Sequence, residues 1–521
     1  MSRCGRGLTE PRFSGALEGY LAVDTFSSSL GEARLLALLR NYGPERRVSV
    51  EVVACGSTVA RDRYTLGTGG RLVLEAYTTT RGGCEARLVV DGTTVDSEAV
   101  APLDLPSSGS PPYVVLVFHH HQPPNYGPDG SYRSLWPFTY VWKPLLAPYG
   151  LGPYHYHYVL LRKLGRGVRV VYNLSPSLLK QWCDLLSGGI RTVSGELAEP
   201  GSELAKVVGE ALSGYRELAT SGSIEVLTSI YAHTIAGYLA ETYGLEDVVR
   251  RELEYGYGVT RDVVGVDPRG VWLPEMSFSM KLVPILSSLG LEYTFLDSTY
   301  HLGGAEGDVG SPYEPYVVEG SGGSSVAVLF RDTELSNDVA FLNNYCSDVH
   351  AAKAAYVFTR KLLSRCSGGG VRVLTVALDG ENWMALSENP PAAAVFLRTL
   401  LTLLRDLSRR GVIRLSTAGE ALEAVPPTRR LRYVPPTSWL GSYTKWRGER
   451  VEHEGFWRAV ELRLARYREY VARYGLDERA RRAEWALWHV LDSDYWWAEF
   501  WDGEAVSLWI EEFDKHITEP H

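Results

Sequence analysis

Two acidic residues stand where buried strands would deliver carboxyl groups to an open site. In GVWLPEMSFS, Glu275 follows a short apolar run and Pro274 restricts the backbone before it; in VRVLTVALDGENW, Asp379 closes a longer run and Gly380 supplies a flexible turn. Cleaving a glycosidic bond needs such a pair, one group to attack or to activate water and one to protonate the leaving oxygen. Trp272 and Trp383 accompany the two carboxyls and are the expected platforms for the apolar face of a sugar, although an isolated strand Trp more often fills core.

The histidines invite a metal reading. VFHHHQPPN holds three in succession, yet strand alternation sends His119 and His121 one way and His120 the other, so at most two should reach one site. The YHYHY run at Tyr154 to Tyr158 reads with the same alternation. Without a third and fourth ligand, hydrogen bonding of a sugar by His119 and His121 is the better reading, and no metal or cofactor is expected. GSIEVLTSIYAH adds Glu225 and His233 around a further strand end, with a structural salt bridge as the competing role for Glu225.

Positioning these groups falls to seven short apolar runs alternating with helical stretches: YVVLVF, VRVVY, SIEVL, GVWL, EYTFL, VAVLF and VRVLTVAL. Near-continuous apolar runs suit parallel strands covered on both faces, so the repeat predicts a barrel or an open α/β sheet. A polar residue follows each run: His119, Asn173, Thr228-Ser229, Glu275, Asp297, Arg331-Asp332 and Asp379. In such folds the ligand site forms at the carboxyl ends of the strands, so these residues should ring one opening.

Ahead of that repeat, from Arg46 to Val100, period-two runs separated by Gly-rich turns predict an antiparallel β-sandwich, and Pro106 to Pro112 has linker composition. From Glu449 onward the pattern is helical, with Phe456, Val460, Leu464, Tyr467 and Val471 at spacings of three and four, Gly475 as a terminator and Asp477 as the next cap.

With 521 residues the chain exceeds one ordinary core. Its formal charge of -9 leaves no basic field for nucleic acid. No stretch is apolar enough to span a bilayer and the N-terminus lacks an apolar leader core, so no membrane association and a cytoplasmic location are expected. Six scattered cysteines read mainly as buried free thiols, with Cys55 and Cys84 on neighbouring predicted strands able to pair. Only two glutamines and few methionines point to a thermophilic source.

Taken in order, the motifs resemble those of glycoside hydrolase family 57, the α-amylase and amylopullulanase group. His121-Gln122-Pro123, Gly222 to Glu225 with His233, Trp272 to Glu275, Asp379 to Asn382 and Ser493 to Trp497 are similar to its five motifs, and VVYNLSPSLLKQW and LFRDTELSNDVAF extend the likeness to roughly Tyr113 to Trp497. The resemblance implies a (β/α)7 barrel at 113–435, a C-terminal helical domain at 436–521 and a β-rich module at 1–105 outside the shared region. It further implies an α-glucan substrate, retaining hydrolysis with Glu275 as nucleophile and Asp379 as acid/base, and sugar contacts from His119, His121, Glu225, His233, Trp272, Arg331, Asp332, Trp383, Asp494 and Trp497. Ser223 departs from the usual Gln, and Trp383 from the usual Pro or Ala. A 4-α-glucanotransferase or branching enzyme is the rival within the family; a metal-dependent polysaccharide deacetylase and a silent glycan binder are rivals outside it.

Overall fold

A computed structural model describes residues 7–26, 31–80, 82–103, 110–138, 151–367 and 370–517. Cys4 and most of the Pro106 to Pro112 linker lie outside these residues.

All seven apolar runs form parallel strands, and the strands close on one another. Tyr113–His120 pairs with Val170–Leu174, then follow Ile224–Ser229, Gly270–Trp272, Tyr293–Asp297, Ser325–Arg331 and Val373–Asp379, which returns to the first. The register brings the polar strand ends to one level: His119 lies opposite both Asn173 and Asp379, and Asp297 lies opposite Arg331. Every residue of Val170–Leu174 and Tyr293–Asp297 is buried, as strands covered on both faces require. The fold is therefore a (β/α)7 barrel.

Two four-stranded antiparallel sheets precede the barrel. The β pattern begins earlier than expected, at Leu17–Asp24 and Glu32–Asn41, because these strands are nearly all buried and lack alternation. Both sheets enclose their own apolar core, including Leu21, Leu35, Val50 and Leu88. Cys55 and Cys84 are joined by a disulfide. Cys183 and Cys366 are free thiols, whereas Cys346 is disulfide-bonded, contrary to the free-thiol expectation. The sheets dock on helix Asp348–Cys366, where the buried Lys353 ammonium donates to the Leu21 carbonyl and to Glu98, and Arg40 meets Asp348 at 2.7 Å.

Tyr154 to Tyr158 is not extended. It lies in helix Pro153–Leu164, which starts with proline at its first position and buries both His155 and His157. Proline at a helix start is preorganised and outweighs a five-residue alternation. The C-terminal helices Val451–Tyr474 and Glu478–Val490 follow the predicted pattern, with Gly475 left-handed at φ 75° and the Asp477 carboxylate accepting from the Ala480 amide. Among the described residues no helix is long and apolar enough to cross a membrane.

Candidate active site

At the carboxyl ends of the barrel strands lies a cavity of about 410 Å³ that both Glu275 and Asp379 line. Glu275 sits in a single turn, Pro274–Met276, immediately after its strand, with φ of 57° at Glu275 and 48° at Met276. Left-handed backbone is strained for residues other than glycine, so something must hold it. Trp439 does so twice: its amide donates to the Glu275 carbonyl at 3.1 Å, and its indole N–H donates to Oε2 at 2.8 Å. The loop carrying Trp439 is anchored in turn, since the Thr437 carbonyl accepts from the Phe278 amide and from His301 Nε2, each at 3.1 Å. Asp379 opens onto the cavity at the end of its strand and accepts a long hydrogen bond, 3.3 Å, from the Asn382 amide group.

Three imidazoles converge on this cavity: His119 and His121, as alternation predicts, and His233, as the family resemblance implies. One ring nitrogen of each lies within 4.8 Å of the others. Strand alternation could not foresee the third, because His233 reaches in from a loop with φ 58°. A buried carboxylate below the loop holds that conformation: Glu252 accepts from the Ala232 amide at 2.9 Å and from the Thr234 hydroxyl at 3.0 Å, so it clamps both neighbours of His233.

The hydrogen bonds order the protons. The Asn173 amide oxygen accepts from His119 Nδ1 at 2.7 Å, so His119 Nε2 is the acceptor of the His233 Nε2–H at 3.0 Å. His233 Nδ1 then accepts from the Ser493 hydroxyl at 2.8 Å, while His121 Nε2 donates to Asp494 at 2.6 Å and its Nδ1 accepts from Ser175. Burial lowers all three imidazoles below the ordinary histidine range, so they are neutral at pH 7. The three rings could hold a divalent cation only by giving up these bonds, because every nitrogen that converges is already engaged.

Both carboxyls are raised. Desolvation deep in the cleft is the main cause for each; for Glu275 the negative charge of Asp494 adds to it and the group reaches about 8, whereas His119 and Asn382 oppose the rise at Asp379. The negative charge of Asp379 adds a smaller push on Glu275 in the same direction.

Other expected residues divide. Trp272 lines the cavity and lies parallel to His119 at 4.9 Å, and Arg331 lines it with Nε on Asp297 at 2.8 Å and its guanidinium 5.5 Å from the Trp439 ring. Asp494 and Trp497 reach it from the C-terminal helical segment, as expected. Trp272 and Trp383, expected as sugar platforms, are only 5% and 3% exposed, so most of their area is spent on the core.

Two expected contacts are corrected. Glu225 is the second residue of its strand, so it lies at the opposite mouth of the barrel, where it accepts from the Gly419 amide at 2.9 Å. Asp332 points away from the cavity: it caps helix Thr333–Phe341 through the Leu335 amide and accepts from the Tyr313 hydroxyl, each at 2.8 Å. Its neighbour Arg331 faces in, as alternation requires. The reading from sequence missed Trp439, whose only signal was a large ring in the polar loop TSWLGSY, and Ser493 as a donor.

The model of the family described as Glycosyl hydrolase family 57 matches residues 162–435. A 1,4-alpha-glucan branching enzyme of Thermococcus kodakarensis is 26% identical over 156 residues, which is 25% of this chain and 22% of that protein, so the match spans about a fifth of that relative's length. Among solved structures, a family 57 type branching enzyme from Pyrococcus horikoshii is similar at TM-score 0.55 and 19% identity, covering 78% of this chain and 88% of its own. An alpha-amylase from Thermotoga maritima is similar at 0.56 and 13%, covering 78% and 93%. At such identities these two show the fold.

Proposed function

The chain belongs to glycosyl hydrolase family 57, and from that premise we propose that it is a retaining enzyme of α-glucans that passes the cleaved chain to a sugar hydroxyl, branching being the leading form of that transfer. One observation carries the chemistry: two carboxyls from distant strand ends line one cavity, and the donors around Glu275 favour its anion. Ser493 has one proton for two acceptors, His233 at 2.8 Å and Glu275 Oε1 at 3.4 Å. The shorter bond takes it, which leaves Oε1 the less committed oxygen.

In the proposed first step, Glu275 Oε1 attacks the anomeric carbon and forms a glycosyl ester while the glycosidic C–O bond breaks. Asp379 gives its proton to the departing oxygen. The ionised Asp379 then takes the proton of an incoming hydroxyl, whose oxygen attacks the same carbon and releases the Glu275 carboxylate. Two inversions retain the configuration. The neutral imidazoles of His119 and His233 wall the site without placing a cation beside the electron-poor sugar. Arg331, Trp272, Trp497 and Asp494 complete the walls around the ring that reacts.

Transfer is preferred to hydrolysis because the relative found by sequence is a branching enzyme. Hydrolysis remains the rival, since an alpha-amylase shares the fold. Incubating amylose with the protein decides between them. Transfer should create new branch linkages, cleavable by a debranching enzyme, with reducing ends rising far more slowly; reducing ends that accumulate with no redistribution of chains would establish hydrolysis instead.

A pH profile tests this placement of the proton. The proposed working form has Glu275 ionised and Asp379 protonated, so kcat/KM should fall on the alkaline side as Asp379, raised by burial, gives up its proton. Asp494→Asn removes a negative charge that favours proton retention, and the alkaline limb should then move to lower pH. A limb that stays in place or moves upward would contradict this account.

A further inference from the structure

Three apolar side chains stand open at the mouth of the cavity: Phe341, Leu386 and Phe500 are 56%, 62% and 68% exposed. Open apolar surface at the rim of a polar cleft marks a binding surface. Two of these residues belong to elements that follow the Asp379 strand or the strand paired with it. Leu386 ends the short helix Asn382–Ala385 that follows Asp379, and Phe341 ends helix Thr333–Phe341, its ring 6.0 Å from Trp439 and tilted by only 22°. Phe341 therefore extends outward the aromatic wall that begins at the Trp439 indole on Glu275.

The segments bearing Phe341 and Leu386 form one shelf. The Ser387 hydroxyl donates to the Asn343 carbonyl at 3.0 Å, and the Glu388 amide donates to the Asn344 side chain at 2.9 Å. From the other side the N-terminal residues brace the same segment: the Leu8 amide donates to the Leu342 carbonyl at 3.1 Å, Gly7 bridges to Asn343, and the Thr9 carbonyl accepts from His350 Nε2 at 2.8 Å. These bracing residues lie outside the 162–435 match to the family.

Asp379 defines what approaches over this shelf. It protonates the departing chain and later deprotonates the incoming hydroxyl, so both must pass on its side of the reacting sugar. A glucan chain offers a flat C–H face and a rim of hydroxyls, and the shelf offers Phe341 and Leu386 beside the amides of Asn343 and Asn382. We propose that Phe341 and Leu386 form the platform for the acceptor glucan chain, held in place by the N-terminal segment. The inference rests on the transfer reading above.

The test measures, in one reaction on amylose, new linkages formed and reducing ends released by the wild type, Phe341→Ala, Leu386→Ala, the double variant and Phe341→Trp. All are exposed positions, and thermal melting checks that each folds. The ratio of transfer to hydrolysis should fall roughly tenfold in the double variant, the scale of one lost aromatic contact, while Phe341→Trp, which keeps a ring, should retain it. A wild type that transfers with a ratio unchanged in the double variant would overturn the platform and leave the transfer reading standing. A wild type that releases reducing ends alone would overturn the transfer reading, and the platform with it.

Discussion

Replacing Glu275 by alanine should lower turnover of amylose on the order of 10⁴-fold or more, because the proposed covalent intermediate forms on its carboxylate and loss of a nucleophile removes most of the rate enhancement. Glu275 is held by Trp439 at both its carbonyl and its carboxylate, so its removal frees space beside the anomeric carbon without unseating the strand. Azide is small enough to enter that space. With an α-glucosyl fluoride as donor it should restore part of the rate and, because only one displacement occurs, give the β-glucosyl azide. The anomeric configuration by proton NMR is the decisive reading: an α product, or turnover near that of the wild type, would remove Glu275 from the role of nucleophile.

Replacing Asp379 by alanine should produce a different pattern. Turnover of amylose should fall roughly 10²- to 10⁴-fold, the usual contribution of a positioned acid or base. Formation of the intermediate from the α-glucosyl fluoride should be largely spared, since fluoride leaves without a proton. The second displacement still needs a base, so the intermediate should accumulate until azide, which carries no proton to remove, discharges it as the α-glucosyl azide. Opposite configurations from the two variants would separate the roles by stereochemistry rather than by size of effect. The same anomer from both would sink the division of labour.

The barrel was legible because its strands have no outer face. Each must be apolar on both sides, which turns YVVLVF or VRVLTVAL into a strand signal that alternation would not give, and the polar residue after each run then marks the open end. Glu225 shows where the same logic was not carried through. A residue at the beginning of a parallel strand must lie at the closed end, and its place in a recognised motif outweighed that rule. Asp332 was lost to alternation: with Arg331 turned inward, its neighbour had to turn out. Trp439 depends on a loop whose course is set by tertiary partners, Phe278 and His301; His233, on a loop held by Glu252, was reached only through the family motif. No spacing in the sequence encodes such contacts.

Three residues around the reacting centre, His233, Glu275 and Met276, occupy the half of conformational space that glycine alone enters freely. Each costs the folded chain about 1–2 kcal/mol that an unstrained backbone would keep. The protein is thus least at ease where it works, and its activity is bought against its melting point. Glycine at 275 would relieve that tension and remove the proposed nucleophile together, giving up the Trp439 bond to its carboxylate as well.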